Sequence, residues 1–280
     1  MSKLSSIMPI VLLLEFFLVG TGFSLDTVTV TGSTTVMPFV EICAEEFNMM
    51  GPDIVVSVAG VGGSGVGVKN VAMGSSDVGM ISREVKSEEI EIYGDNFSQV
   101  LIAYDAICVA VSKSIYDAGV TNLSQDQVNA IYEGEITNWK DLGGPDREIF
   151  AVARVQGSGT GDLFNELVIG DLATEAFGVD VNVLSNAEMK TAITASGRAI
   201  GYLGLNYVQE GNLSSVAYEG VLPSIESIEN RTYPLSRSLH LITWNEPDES
   251  ERTFLDFVLG DDGQKIAEDM GFVSVRQMDG

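Results

Sequence analysis

The chain has 280 residues, of which 45% are apolar and 8% aromatic, and this is the composition of a folded globular protein. Its formal net charge of −25 argues against a nucleic-acid partner. The charge does not exclude a small anionic ligand, because charges further than about 8 Å away are largely screened at physiological salt. A chain of this length is near the size at which a single core divides in two.

The N-terminus has the pattern of an export signal. Lys3 precedes a short apolar run over residues 7–19 that only Glu15 interrupts, and small residues follow at Gly22 and Ser24. This pattern predicts that residues 1–24 are a signal peptide, with an uncleaved N-terminal anchor as the alternative. Both alternatives predict an exported protein, periplasmic or at the cell surface.

Two strand–loop–helix units open the predicted fold. The β-branched run Thr27–Val30 predicts a strand, the hydroxyl-rich loop Thr31–Thr35 follows it, and apolar residues from Val36 onward recur at helical spacing. The strand Ile54–Val58 then leads into the glycine-rich loop Gly60–Gly67. Both loops are therefore expected at the start of a helix.

The middle of the chain predicts two long crossings and a third loop of the same kind. Asp77–Arg83 is a short buried strand with a polar tip, and Val100–Val111 is long enough to cross between two lobes. The strand Ile149–Ala153 leads into Arg154–Thr160 and then a helix, and Ala199–Gly204 is a candidate return crossing. Strands that alternate with helices in this way predict an α/β fold with mostly parallel sheets and a cleft between two lobes.

The predicted loops favour an anion site in that cleft. Free N–H groups at a helix start point outward, hydroxyls add donors, and the helix dipole favours negative charge. Arg154 supplies a formal positive charge beside the loop that ends at Thr160. One alternative is that the loop Arg154–Thr160 is only a flexible Gly-Ser connection. Another is that Ser33 or Thr34, in the loop Thr31–Thr35, only caps the helix that follows that loop.

Enzyme chemistry finds little support in the sequence. His240 is the single histidine, the two cysteines form no Cys-x-x-Cys pair, and neither a Gly-x-Ser-x-Gly elbow nor a nucleotide-hydrolysing P-loop is present. Gly60, Gly62 and Gly65 match the G-x-G-x-x-G spacing of a dinucleotide loop, but a nucleotide enzyme is unexpected behind an export signal. We therefore expect a binding protein without cofactor or metal. A disulfide between the two cysteines stays open.

The ordered set of motifs resembles the phosphate-binding proteins of phosphate ABC importers over essentially the whole mature chain. The motifs are Thr31–Pro38, Gly62–Gly65, Asp77–Arg83, Ile136–Trp139, Arg154–Thr160 and Ala199–Tyr202. The resemblance implies a type II periplasmic-binding-protein fold that closes on inorganic phosphate, works as a monomer and delivers its ligand to a membrane permease. It implies a first lobe over residues 25–104 with 207–280 and a second lobe over 105–206.

The resemblance also implies the ligand-binding residues. They are Ser33, Thr34, Thr35, Ser64, Ser82, Arg154, Ser158, Gly159 and Thr160, with Arg83 as a further candidate. Two positions depart from the family pattern: Ser82 stands where some members place a carboxylate, and Gly161 stands where many carry arginine. The alternatives are a binder of another tetrahedral oxyanion, such as sulfate, molybdate or tungstate, and a membrane-tethered phosphate-sensing domain.

Overall fold

The computed structural model describes residues 26–59, 62–170, 177–208 and 212–278, and the predicted signal segment lies outside them. Strands and helices alternate along this part of the chain, as the sequence predicts. The strands are β1 (Asp26–Gly32), β2 (Ile54–Ala59), β3 (Val78–Ile81), β4 (Phe97–Ser112), β5 (Asn122–Leu123), β6 (Phe150–Arg154), β7 (Val181–Val183), β8 (Ala199–Gly204), β9 (Leu213–Ser215), β10 (Ala217–Tyr218), β11 (Ser236–Trp244) and β12 (Val273–Ser274). The α-helices are α1 (Met37–Met49), α2 (Ser64–Ala72), α3 (Ser87–Tyr93), α4 (Lys113–Tyr116), α5 (Gln125–Glu133), α6 (Gly159–Phe164), α7 (Asn186–Ser196), α8 (Ile225–Glu229), α9 (Glu249–Leu259), α10 (Asp261–Asp269) and α11 (Val275–Met278).

The first lobe is built on a sheet with the order β2-β1-β3-β11-β4. The pairs β1–β2 and β1–β3 are parallel, whereas β11 runs antiparallel to both of its neighbours. Helices α1, α9 and α10 cover one face and enclose a core that contains Phe39, Phe47 and Phe254. The parallel strands place the loops after β1 and β2 at the same edge of this sheet.

The second lobe continues the strand order as β4-β8-β6-β7. Strand β6 is parallel to both β7 and β8, and β8 is antiparallel to β4. Its core contains Tyr132, Trp139, Phe164 and Tyr202. The rings of Phe164 and Tyr202 stack with their centroids 3.8 Å apart, so α6 is fixed against the sheet directly behind the loop that precedes it.

Strand β4 joins the two lobes, as its length predicts. Its first part pairs with β11 as far as Ala106, and from Ile107 onward it pairs with β8 and β9. This change of partner within one strand makes a direct backbone connection between the two cores. The predicted two-lobed α/β architecture of the periplasmic-binding-protein type is confirmed.

We propose that the return to the first lobe lies later in the chain than residue 207. Strand β9 pairs with the second half of β4, and Val216, Tyr218, Ile228 and Tyr233 pack in the core of the second lobe. These contacts support a second lobe that extends to Leu235 and a return at β11. Short strands and one-turn helices fill this segment, and they lack the periodicity that would assign them to either lobe from sequence.

The two cysteines are separate buried thiols. Cys43 lies in the first core and Cys108 in the second, and burial raises the pKa of Cys43 to about 12 and the pKa of Cys108 well above its ordinary value. The disulfide that the sequence left open is therefore not formed. No helix among the described residues is long and apolar enough to cross a bilayer.

Candidate functional site

Three loops that follow parallel strands meet between the lobes. The loop after β1 holds Ser33, Thr34 and Thr35, the loop after β2 leads to Ser64 at the start of α2, and the loop after β6 leads to Ser158, the N-cap of α6. All five side chains are buried. Hydroxyl groups from both lobes therefore gather at one junction.

Direct hydrogen bonds join the lobes at this junction. The hydroxyls of Thr35 and Thr160 lie 2.9 Å apart, and the backbone N–H of Gly65 donates to the carbonyl of Gly157 over 3.0 Å. Nη2 of Arg154 donates to Oγ1 of Thr34 over 3.2 Å. The structure thus represents the cleft in its closed arrangement.

Gly159 allows the closest approach of the two lobes. A Cβ atom at this position would overlap Oγ of Ser64 and lie 2.6 Å from Oγ of Ser82. Ser82 and Ser64 themselves are linked, because the backbone N–H of Ser82 donates to Oγ of Ser64 over 3.0 Å. The missing side chain at Gly159 is therefore a steric requirement of closure.

Arg154 is the cation of the junction, with 6% of its surface exposed. Its Nη2 also donates to the carbonyl of Leu184 over 2.9 Å, and its backbone N–H donates to the hydroxyl of Tyr202 over 3.0 Å. Its Nε and Nη1 are buried and have no hydrogen-bond partner among the described residues. Burial lowers the pKa of Arg154 to about 10, so the guanidinium stays charged at neutral pH.

A second buried arginine, which the sequence reasoning missed, lies at the same junction. Arg237 donates from Nε and Nη2 to one carboxylate oxygen of Asp105, over 3.0 and 2.6 Å. Its Nη1 donates to Oγ1 of Thr160 over 2.8 Å. The side chains of Arg237 and Asp105 are 1% and 0% exposed, respectively. A signal was present in the sequence, because Asp105 is the only charged residue within the long strand β4.

Two further polar side chains connect the lobes. Nδ2 of Asn186, at the start of α7, donates to Oγ1 of Thr35 over 2.8 Å. The hydroxyl of Tyr207 donates to the carbonyl of Thr34 over 2.9 Å. Both bonds connect the loop after β1 to residues that follow β4 in the chain.

Arg83 has a different set of partners. It makes two hydrogen bonds to the carboxylate of Glu89, and its Nε donates to Asp162 of α6 over 2.9 Å. Nζ of Lys86 lies 3.1 Å from the other carboxylate oxygen of Asp162. Every side-chain nitrogen of Arg83 is thus engaged by a protein oxygen, and the residue joins the lobes beside the junction.

The structure brings together the predicted site residues other than Arg83. Ser33, Thr34, Thr35, Ser64, Ser82, Arg154, Ser158, Gly159 and Thr160 all lie at the junction. Their role as ligands of an anion, and that of Arg83, stays a prediction. Among the described residues, no group of three or more His, Cys, Asp or Glu side chains could hold a metal ion.

Comparison with known proteins identifies the class. A family model for the PBP superfamily domain matches residues 19–262. The fold and the buried junction between two lobes thus belong to a substrate-binding protein of the periplasmic-binding-protein type.

Individual relatives narrow the class to a family. The phosphate-binding protein PstS of Bacillus subtilis is 32% identical over 254 residues, which cover 90% of this chain and 82% of that protein. The protein of the same name from Borreliella burgdorferi is 30% identical over 89% of this chain and 90% of its own length. The chain belongs to the family of PstS phosphate-binding proteins.

Solved structures agree with this assignment. A phosphate ABC transporter substrate-binding protein with bound phosphate from Clostridium perfringens superposes with a TM-score of 0.82 and 35% identity, over 89% of this chain and all of that one. An ABC-type phosphate transport receptor from Vibrio cholerae gives a TM-score of 0.72 and 29% identity, over 88% of this chain and 99% of that one.

The ion pairs of Asp162 yield a prediction about the stability of the protein. Asp162→Asn removes the partner of both Arg83 and Lys86 from a largely buried position, so the free energy of unfolding should fall by about 1–3 kcal/mol. Urea denaturation measures this change. The control Asp117→Asn removes an exposed ion pair with Lys113 and should cost less than about 0.5 kcal/mol. Equal effects of the two substitutions would show that the contact of Asp162 is not maintained in solution.

Proposed function

We propose that this protein captures inorganic phosphate outside the cytoplasm by closing its two lobes, and that it delivers the phosphate to the membrane permease of an ABC importer. The observation that carries the proposal is the guanidinium of Arg154, which is buried, charged, and has two nitrogens, Nε and Nη1, without a protein partner in the described chain. Membership in the PstS family indicates which anion these groups serve.

The electrostatics of the junction favour an anion despite the acidic chain. Arg237 and Asp105 neutralise each other, so Arg154 gives the junction a net positive charge. A buried charge without a counterion costs several kcal/mol, and an anion held by that charge removes much of the cost. Because the junction is closed to solvent, the attraction is stronger than it would be in water.

Hydroxyl donors supply the rest of the binding energy. Hydrogen bonds to a charged group contribute about 1.5–3 kcal/mol each, and micromolar affinity corresponds to about 8 kcal/mol. Two bonds from Arg154 together with bonds from Thr160 and Ser158 contribute about 6–12 kcal/mol, and the upper part of this range exceeds the micromolar value by enough to offset the cost of ordering the lobes.

Recognition of the proton on phosphate falls to Ser82 in this proposal. Phosphate keeps a proton near neutral pH whereas sulfate does not, so selectivity needs an acceptor in the site. The hydroxyl of Ser82 is completely buried and lies 3.4 Å from Oγ of Ser64. A hydroxyl can accept as well as donate, and Ser82 is therefore the proposed acceptor.

The proposal describes a binding protein and not an enzyme. The proposed ligand residues are hydroxyl groups, backbone N–H groups and the charged guanidinium of Arg154, which suit reversible capture, and they include no carboxylate or imidazole that could act as a general base. We propose that it acts as a monomer and that residues 1–24 direct its export. The mass of the intact protein recovered from expressing cells distinguishes a cleaved signal peptide from a retained anchor.

Titration calorimetry of the protein without residues 1–24 tests the function. Phosphate should bind one site per chain with micromolar or tighter affinity, and sulfate, molybdate and tungstate should bind more weakly. Absence of binding to phosphate together with strong binding of sulfate or molybdate would replace phosphate by another tetrahedral oxyanion.

The variant Arg154→Ala tests the cation. It removes the charge and both unpartnered donors, so phosphate affinity should fall by at least about 1.5–3 kcal/mol, or more than tenfold. Arg252 is an exposed arginine on α9, and Arg252→Ala should leave the affinity unchanged. Wild-type affinity in Arg154→Ala would refute the assignment of this residue.

The variant Gly159→Ala tests lobe closure on the ligand. The added methyl group overlaps Oγ of Ser64, so the lobes cannot meet and calorimetry should show at least tenfold weaker phosphate binding. Gly65→Ala is the matched control, because a Cβ atom there meets Gly157 at an ordinary 3.4 Å. If the two variants bind phosphate equally well, closure at Gly159 is not needed for capture.

A further inference from the structure

The hydroxyls of Thr35 and Thr160 are surrounded by donors. Oγ1 of Thr35 receives hydrogen bonds from Nδ2 of Asn186 over 2.8 Å and from Nη2 of Arg237 over 3.4 Å. Oγ1 of Thr160 receives one from Nη1 of Arg237 over 2.8 Å, and the two hydroxyl oxygens lie 2.9 Å apart. Both residues are 1% exposed, so their hydroxyls are removed from bulk solvent.

The orientation of the Asn186 amide follows from its second contact. The backbone N–H of Gly204 lies 3.4 Å from Oδ1 of Asn186, and a backbone N–H can only donate. Oδ1 therefore faces Gly204, and the NH₂ group of Asn186 faces Thr35. Arginine likewise has donors and no acceptor. Asn186 and Arg237 can therefore only donate to Thr35.

A hydroxyl has one proton and two acceptor sites, and this fixes the direction of the remaining bond. Asn186 and Arg237 occupy both acceptor sites of Thr35, so Thr35 donates its own proton to Thr160. Thr160 then accepts from Thr35 and from Arg237, and its acceptor sites are filled as well. Its proton has no acceptor among the hydrogen bonds of the described residues, and it remains available to an anion.

We infer that Arg237 and Asn186 are positioning residues that make Thr160 an obligatory hydrogen-bond donor to the bound anion. Asp105 fixes the guanidinium of Arg237 through two hydrogen bonds to one oxygen, and the other oxygen of Asp105 accepts from the backbone N–H of Leu205 over 3.2 Å. The ion pair is neutral as a whole. It acts by orienting a hydroxyl, and it adds no net charge to the site. This inference rests on the proposed capture of phosphate.

A mutant cycle on phosphate affinity tests the inference. In the wild-type background, Thr160→Val should weaken phosphate binding at least tenfold. In the background Asp105→Asn/Arg237→Met, which removes both members of the buried pair and keeps the net charge, Thr160 loses its fixed orientation. There the same Thr160→Val substitution should weaken binding less than threefold, and the background itself should bind phosphate several-fold more weakly than wild type.

The control is the exposed pair on α10, Lys265→Met/Asp269→Asn, which makes the same kinds of substitution and should leave both the affinity and the effect of Thr160→Val unchanged. An equal effect of Thr160→Val in the wild-type and Asp105→Asn/Arg237→Met backgrounds would overturn the inference. If wild type itself fails to bind phosphate, the proposed function fails instead, so the two failures are distinguishable.

A second cycle leaves the ion pair intact and covers the case in which the double variant does not fold. If Thr35 acts only by donating to Thr160, then Thr35→Val/Thr160→Val should bind phosphate within threefold of Thr160→Val alone. Independent bonds from both hydroxyls to the anion predict that the two losses multiply. That result would contradict the inferred direction of the Thr35–Thr160 bond.

Discussion

The buried charge of Arg154 is the constraint on which the cleft depends. The guanidinium is buried, and its hydrogen bonds in the described chain go to neutral oxygens of Thr34 and Leu184. A buried cation without a carboxylate partner lowers stability unless another negative group approaches it. A closed cleft around such a cation is suited to an anion that enters, is enclosed and leaves again, because a permanent protein counterion would compete with that ligand.

The other charged groups of the cleft are paired, and this pairing separates their roles. Asp105 holds Arg237, while Glu89 and Asp162 hold Arg83. Arg237 contacts the hydroxyl of Thr160 at the junction, whereas Arg83 joins the lobes beside the junction. Only Arg154 keeps donors free of protein partners in the described chain. We propose that these three arginines have separate roles: Arg154 contacts the ligand, Arg237 orients a hydroxyl that contacts it, and Arg83 joins the lobes.

The sequence predicts the parts of the site that depend on local order. The loops Thr31–Thr35 and Arg154–Thr160 each follow a β-branched or apolar strand and precede a helical pattern, so strand, loop and helix start could be placed from neighbouring residues. The length of strand β4 likewise predicts the crossing between the lobes. The order of the motifs in the sequence supports the family resemblance, and the resemblance implies phosphate as the anion.

The parts that the sequence did not predict depend on contacts between distant residues. Asp105 and Arg237 are 132 positions apart, and their pairing follows from the antiparallel register of β4 and β11. The partners of Arg83 include Asp162, 79 positions away, so a residue beside a predicted loop tip turned to a carboxylate of the other lobe. The return to the first lobe that we propose at β11 could not be predicted from the sequence, because the segment before it is built of short irregular elements.

A crystal structure of the protein grown with phosphate tests the central claim most directly. The account predicts phosphate at the junction of the lobes, with Nε and Nη1 of Arg154 within hydrogen-bond distance of its oxygens. The hydroxyl of Thr160 should donate a third hydrogen bond to the phosphate. Phosphate bound elsewhere, or a closed cleft in which Nε and Nη1 of Arg154 bond to protein oxygens, would contradict it.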